Sequence, residues 1–267
     1  MKGKMLSIFA ETQMHVGIGR SETFVDLPFA REGITEYPFI PGTGIKGSLR
    51  HHFEVNHDDA NHKLSGSFGT QDNAGNIVFS DGRLLMLPIR SLSKTYYWVT
   101  CPYVLERLNR DLEVLGNDTK IPVPEVGRNE YVGPDHGSIV LEDREFKRKG
   151  NTGFEEITTI FEKFIPHEST KKRVKDQLIV LHDNDFKWFA KYGLMIQARN
   201  VLKSETKTSK NLWYEEWVAT DTVFYAMLFS RNGEDDPLFE KFGQDYVQLG
   251  GNETVGQGIC LFSEVRF

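Results

Sequence analysis

Residues 38 to 50 read PFIPGTGIKGSLR, and pack three glycines, a lysine, a serine and an arginine closely enough to handle a phosphate. A nucleotide-binding P-loop needs Gly followed directly by Lys and then Ser or Thr, so that loop amides cradle the phosphates and the lysine sits on the first helical turn. Here Lys46 precedes Gly47, and that reading fails. What survives is a helix starting after Pro41, from Thr43 to Phe53, with Lys46 and Arg50 four apart on one face. Free amides at a helix start, with two cations on one face, suit a phosphate. A solvated helix face fits the same pattern.

Two other side chains could do chemistry nearby. Asp26 stands as a lone acid among apolar residues in FVDLPF. It could bind a metal or take a proton, or simply cap the turn before Leu27-Pro28. His15, in HVGIG, titrates near neutrality when unperturbed and could move a proton. A histidine beside a glycine turn is also often structural. Further along, Trp213-Tyr214-Glu215-Glu216-Trp217 alternates aromatics with acids. On a strand Glu215 shares a face with Trp213 and Trp217, and Tyr214 and Glu216 take the other.

Two sets look chemical and read better as structure. His51, His52, His57 and His62, with Asp58 and Asp59, match no tight zinc spacing and lie in a polar stretch. His182-Asp183 has the order of a phosphohydrolase dyad, yet lies at a strand-to-helix junction, where Asp183 is expected as the helix cap.

The elements that must position these groups come from the rest of the 267 residues. That length is ample for a real core. Apolar residues make up 39% and the mean hydropathy is -0.42, with no stretch near the ~20 apolar residues of a membrane span. A cytoplasmic protein is expected, with Cys101 and Cys260 buried as thiols. The net charge of -6 argues against nucleic-acid binding by the surface as a whole, so RNA or DNA must meet local basic patches.

Alternation predicts a central strand over Met5 to Thr12. Residues 54 to 77 read as polar loop, followed by a strand ending at Pro88 and a helix from Tyr103 to Leu115. Residues 117 to 153, rich in Pro and Gly, read as hairpins and loop. Then come a strand at Leu178 to Leu181, a helix through Phe186 and Phe189, and a strand from Leu194 to Val201. With NLWYEEWV that last strand makes a long hairpin. VFYAMLFS is a buried strand, Pro237 to Phe242 a short helix, and YVQLGG and GICLFSEVRF are strands around a glycine loop. Strand-helix-strand units at both ends imply an α+β fold of the split βαβ type.

HVGIG, IPGTGIKGSLR, FSDGRLLMLPIRS and GGNETVGQG occur in this order from end to end. As a set they resemble the repeat-associated (RAMP) superfamily of CRISPR proteins, and within it the repeated backbone subunit of the type III-B, or Cmr, effector complex. The resemblance implies an RRM or ferredoxin-like palm built from strands around 5 to 12, 178 to 201 and 222 to 267. It also implies an inserted region over about 54 to 153, a β-hairpin thumb over 198 to 220, and a glycine-rich loop at 248 to 260 against guide RNA.

Carried onto this chain, it makes Lys46, Arg50, Gly44, Ser48, Gly256 and Gly258 the RNA contacts. Asp26 becomes the catalytic acid and ligand of a divalent ion, Mg2+ or Mn2+, with His15 and Glu215 as further catalytic candidates. Val201 and Leu202 become wedges between bases. The implied activity is endonucleolytic cleavage of target RNA at regular intervals. The implied partners are guide and target RNA, head-to-tail copies of the chain and other subunits of the complex, with no membrane. A binding module of the same shape without chemistry is the rival reading, and a free-standing metal-dependent phosphohydrolase a third.

Overall fold

The computed structural model describes residues 2–22, 24–56, 60–134, 137–231, 236 and 238–267, with the side chains of 60–63 and 240 left out. His57, Asp58, Asp59 and Pro237 lie outside the described residues, as does the side chain of His62.

The first half contributes β1 (Lys2–Ala10), β2 (Phe39–Ile40), α1 (Gly42–Asn56), α2 (Ala60–Phe68), β3 (Ile77–Phe79), β4 (Gly82–Arg90), β5 (Tyr96–Thr100) and α3 (Pro102–Val114). Then follow β6 (Glu130–Val132), β7 (Ser138–Leu141), β8 (Arg144–Gly150), α4 (Phe154–Phe161), α5 (Glu168–Lys171) and α6 (Val174–Gln177). The chain closes with β9 (Leu178–Leu181), α7 (Asp183–Tyr192), β10 (Met195–Leu202), β11 (Ser209–Trp217), β12 (Val223–Ser230), β13 (Gln244–Gln248) and β14 (Ile259–Val265).

β1 is buried from Met5 to Ala10 because strands flank it on both edges, β12 and β14, each antiparallel. With β4 beside β12 the order is β14-β1-β12-β4. This is the ferredoxin-like order in which two crossover units interleave. β5, β9, β6, β8 and β7 extend the same sheet beyond β4. They sit in the connection between β4 and β12, so the span 54 to 153 holds one palm strand, β4, together with part of the added subdomain.

Three expectations need correction. The polar stretch 54 to 77 is not loop throughout: α1 runs on to Asn56 and α2 follows. Leu64 and Phe68, four apart, anchor α2 in the core, and Phe68 joins Phe53 and Phe79 in an aromatic cluster. β10 leaves the palm and pairs only with β11, in a ribbon of its own. Asp183 does not cap its own helix. His182 does, accepting from Asn184 N at 3.1 Å, while Asp183 Oδ1 accepts from Tyr103 N at 2.9 Å and so caps α3. Of the stripe that the spacing predicts, Leu105, Leu108, Leu112 and Leu115, α3 buries the first three together with Val104, and Leu115, just past its end, is partly buried.

Candidate functional site

β11 carries β10 on one edge and the N-terminal loop on the other. In a strand, the N–H and C=O of alternate residues point to one edge. Tyr214 and Glu216 use theirs on the loop. Tyr214 N donates to Asp26 Oδ2 at 2.8 Å, Leu27 N donates to Tyr214 O at 3.0 Å, and Glu216 N donates to Leu27 O at 3.0 Å. His15 Nδ1 donates to Glu216 O at 2.7 Å. Since a carbonyl only accepts, Nδ1 carries the proton, and Nε2 is the ring nitrogen left for chemistry. Asp26 and His15 are thus fixed two residues apart on one strand edge, a separation of about 7 Å along the strand.

The Asp26 carboxylate is half-buried and faces a cleft of about 310 Å³ lined by Arg20, Leu27, Asn211, Trp213 and Glu215. Its Oδ1 has no hydrogen-bond partner among the described residues. Arg20 is exposed and unpaired among those residues, and brings the cleft a cation that no motif signalled. Phe24, 75% exposed, stacks on Tyr214 with ring centroids 5.4 Å apart beside the same loop.

His15 and Glu215 are placed differently from Asp26. His15 is 8% exposed, and a Cβ on Gly17 would stand 2.7 Å from its Nε2. Glu215 is 4% exposed, and its carboxylate accepts from Trp213 Nε1 at 2.7 Å, Trp217 Nε1 at 3.0 Å and Asn252 Nδ2 at 2.9 Å. Burial alone would raise its pKa, but those three hydrogen bonds and the Arg199 charge outweigh it and hold the acid below its ordinary range. Glu215 is therefore a charged fastener between the thumb and the glycine-rich loop. Neighbouring Glu216 ties the loop from the other face, accepting from Phe29 N at 2.9 Å and pairing with Arg31 at 2.6 Å.

The glycine-rich loop is stitched to the same place. Gly251 N donates to His15 O at 3.0 Å and Gly258 N to Gln13 O at 2.9 Å. Gly258 (φ 77°) has no room for a Cβ because the Leu249 carbonyl fills that space, so its missing side chain serves the loop's own backbone. Gly256 (φ 75°) faces open space. Between this loop and α1 runs a groove of about 340 Å³, lined by Gly47, Ser48, His51, Gln248 and Glu253.

A model of the RAMP superfamily matches residues 8–261. The chain belongs to the RAMP superfamily. Its relatives include the CRISPR system Cmr endoribonuclease Cmr4 of Pyrococcus furiosus, 31% identical, with 97% of this chain and 94% of that protein aligned. The CRISPR system CMR subunit Cmr4 of Saccharolobus solfataricus is 26% identical, over 96% of this chain and 94% of that one. Among solved structures, the crystal structure of oligomeric Cmr4 from Pyrococcus furiosus superposes with a TM-score of 0.81 at 25% identity, covering all of both chains. A chain of the cryo-EM structure of the type III-B Cmr-beta complex bound to cognate target RNA superposes at 0.83 with 23% identity, covering 99% of this chain and 98% of that one.

As a RAMP palm, the chain places its α1 candidates unequally. Lys46 and Ser48 have no side-chain hydrogen bond or ion pair among the described residues, and Gly44 faces open space. Arg50 is engaged, with Nε donating to Glu54 at 2.8 Å and a terminal nitrogen to Gly69 O at 3.2 Å. The start of α1 is also taken, since Asp81 Oδ1 accepts from Gly42 N at 2.7 Å. A carboxylate occupies the position where an anion was expected. Val201 and Leu202 are exposed on the thumb, near its tip.

Proposed function

We propose that this RAMP chain is the repeated, guide-binding backbone subunit of a type III-B CRISPR effector complex, and that it cuts complementary target RNA at the root of its thumb. Support comes from its end-to-end likeness to relatives described as the Cmr endoribonuclease and as oligomeric Cmr4. The single observation that carries the cleavage site is Asp26, pinned through one oxygen to the Tyr214 amide with the other facing the cleft.

In this reading the 2′-hydroxyl of the target gives its proton to Asp26 Oδ1 as the 2′-oxygen bonds to phosphorus. The bond from phosphorus to the 5′-oxygen breaks, leaving a 2′,3′-cyclic phosphate and a 5′-hydroxyl. Arg20 faces the charge that develops on the phosphate. The leaving oxygen needs a proton, and His15 Nε2 is our donor when the ring is charged. Glu215 orients the thumb against the glycine-rich loop and does not transfer protons. Lys46, Ser48, Gly44 and Gly256 line the guide backbone, with Arg50 contributing less.

The cofactor we assign is Mg2+ or Mn2+. Among the described residues no three His, Cys, Asp or Glu side chains gather to hold a metal by themselves. Mg2+ is commonly held by one or two carboxylates plus substrate phosphates. Mg2+ also keeps several of its own waters, so the Asp26 carboxylate would hold the ion through one of them, leaving Oδ1 free to take the proton, and the ion would screen phosphate charge. Reconstitution with guide and partner subunits tests the whole reading. Regularly spaced cuts that need the metal and vanish in Asp26→Asn, with target binding retained, are expected. Cutting at the normal rate by that variant, or irregular or metal-independent cutting by the intact chain, overturns it.

A further inference from the structure

Away from the thumb root, α3 faces the loop after Phe29 across a cavity of about 620 Å³. Tyr103, Arg107, Arg110 and Asp111 recur at helical spacing and line it from α3, while Arg31, Glu32 and Gly33 line it from the loop. Arg83 and Asp81 enter from β4 and its approach, and Phe39 from β2. The size suits a ligand of nucleotide dimensions, for which pockets run to roughly 300–1,000 Å³.

Its hydrogen-bonding capacity is lopsided. The acids are occupied: Asp111 accepts from Arg83 through both oxygens at 2.6 Å and from Tyr225 at 2.7 Å. Glu32 accepts from Arg107 at 2.6 Å and also from Thr35, and Asp81 holds Gly42 N. The arginines are not used up. Arg83 donates to Asp111 from one terminal nitrogen, and its side chain also lies against the Tyr225 hydroxyl. Arg107 is 6% exposed, and its Nε is buried without a partner. Arg110 is exposed and makes no ion pair or hydrogen bond among the described residues. Guanidinium groups match phosphate oxygens in their fork geometry. Phe39 and Tyr103 add aromatic surface to the same walls.

We propose that this cavity is a second ligand site, for a phosphate monoester of nucleotide size. Its phosphate meets Arg83, Arg107 and Arg110, and its base or sugar lies against Phe39 and Tyr103. The site is separate from the RNA groove and does not rest on the cleavage reading.

Titration of the full chain with AMP, inorganic phosphate and adenosine by calorimetry tests it. AMP should bind, inorganic phosphate more weakly and adenosine not at all. Loss of a charge-assisted hydrogen bond predicts that Arg110→Ala weakens AMP by about tenfold or more. Gly33→Asp gives a second variant that keeps the fold, because a Cβ there meets nothing within 4 Å. Its added carboxylate should weaken AMP at least as much. Equal binding of adenosine and AMP, no binding of AMP, or AMP binding unchanged in both variants would overturn the proposal.

Discussion

The thumb root and the groove beside α1 are built on opposite principles. At the root, the Tyr214 and Glu216 backbone, both Glu215 oxygens, both Glu216 oxygens and one Asp26 oxygen have named partners. In the groove, Ser48 and His51 have none among the described residues, nor does Lys46 on the same helix. A site that must hold a reacting atom needs side chains locked by their neighbours. A surface that follows a polymer of any sequence needs donors kept free. The contrast separates positioning from holding, and each side can be broken independently.

The largest effect is expected at the one unengaged oxygen of the root. Asp26→Asn should lower the cutting rate by about 10²–10⁴-fold, the usual worth of a positioned acid or base. The target Kd should stay nearly unchanged, since phosphate contacts carry affinity. Single-turnover cleavage beside a binding titration reads both, and a parallel loss of affinity would merge the two regions into one.

Next comes Glu216→Ala, which leaves Arg31 and the Phe29 amide without their carboxylate. Breaking such a pair costs about 3–5 kcal/mol when buried, and the partial exposure of Arg31 puts this one at the low end. Urea unfolding checks it. A change near zero would mean that the root is not held from this side.

Glu215→Gln should cost about 1–3 kcal/mol at neutral pH through its charged hydrogen bonds. Its folded pKa lies below the ordinary 4.5, so the carboxylate contributes stability above that value and loses it as pH falls through the folded one. The variant should therefore show a flatter loss of stability on the acid side. Unfolding midpoints measured from pH 7 downward would reveal an unchanged acid limb if Glu215 were not the fastener.

The smallest effects belong to holding. Lys46→Ala should flatten the salt dependence of guide binding by about 0.7 log unit, one single-strand phosphate contact. Arg50→Ala should flatten it less, because Glu54 and Gly69 already engage that side chain. Equal slopes for the two variants would reverse that ranking.

Much of this was legible in the sequence. β9 and β12 fall at the residues their apolar runs mark, and α3 follows its leucine stripe. These elements are decided by burial periodicity, which a chain displays openly. The fate of Glu215 was legible in part: strand alternation puts it on one face with Trp213 and Trp217, but its third donor, Asn252, reaches it only through tertiary folding. Arg20 carried no motif. Asp183 was misread because a capping carboxylate serves whichever helix end lies nearest, and here that end belonged to α3. The helix over 60 to 68 was hidden by polar surroundings in which two apolar residues sufficed.

β1 has a consequence for the order in which the molecule can be made. Its neighbours are β12 and β14, with Met5 opposite Met227 on one side and Val265 on the other. β1 therefore waits for strands synthesised long after it. The hairpin of β10 and β11 and that of β7 and β8 can close locally in the meantime, because short loops close at small entropic cost. Pairings so distant in sequence are slow to form and leave strand edges open while they do. A growing chain can thus carry a finished thumb on an unfinished palm. The groove beside α1, lined on its other side by Val247, Gln248 and Glu253, becomes complete only when that segment docks, and a chain interrupted before β14 would present β1 as an open edge for aggregation.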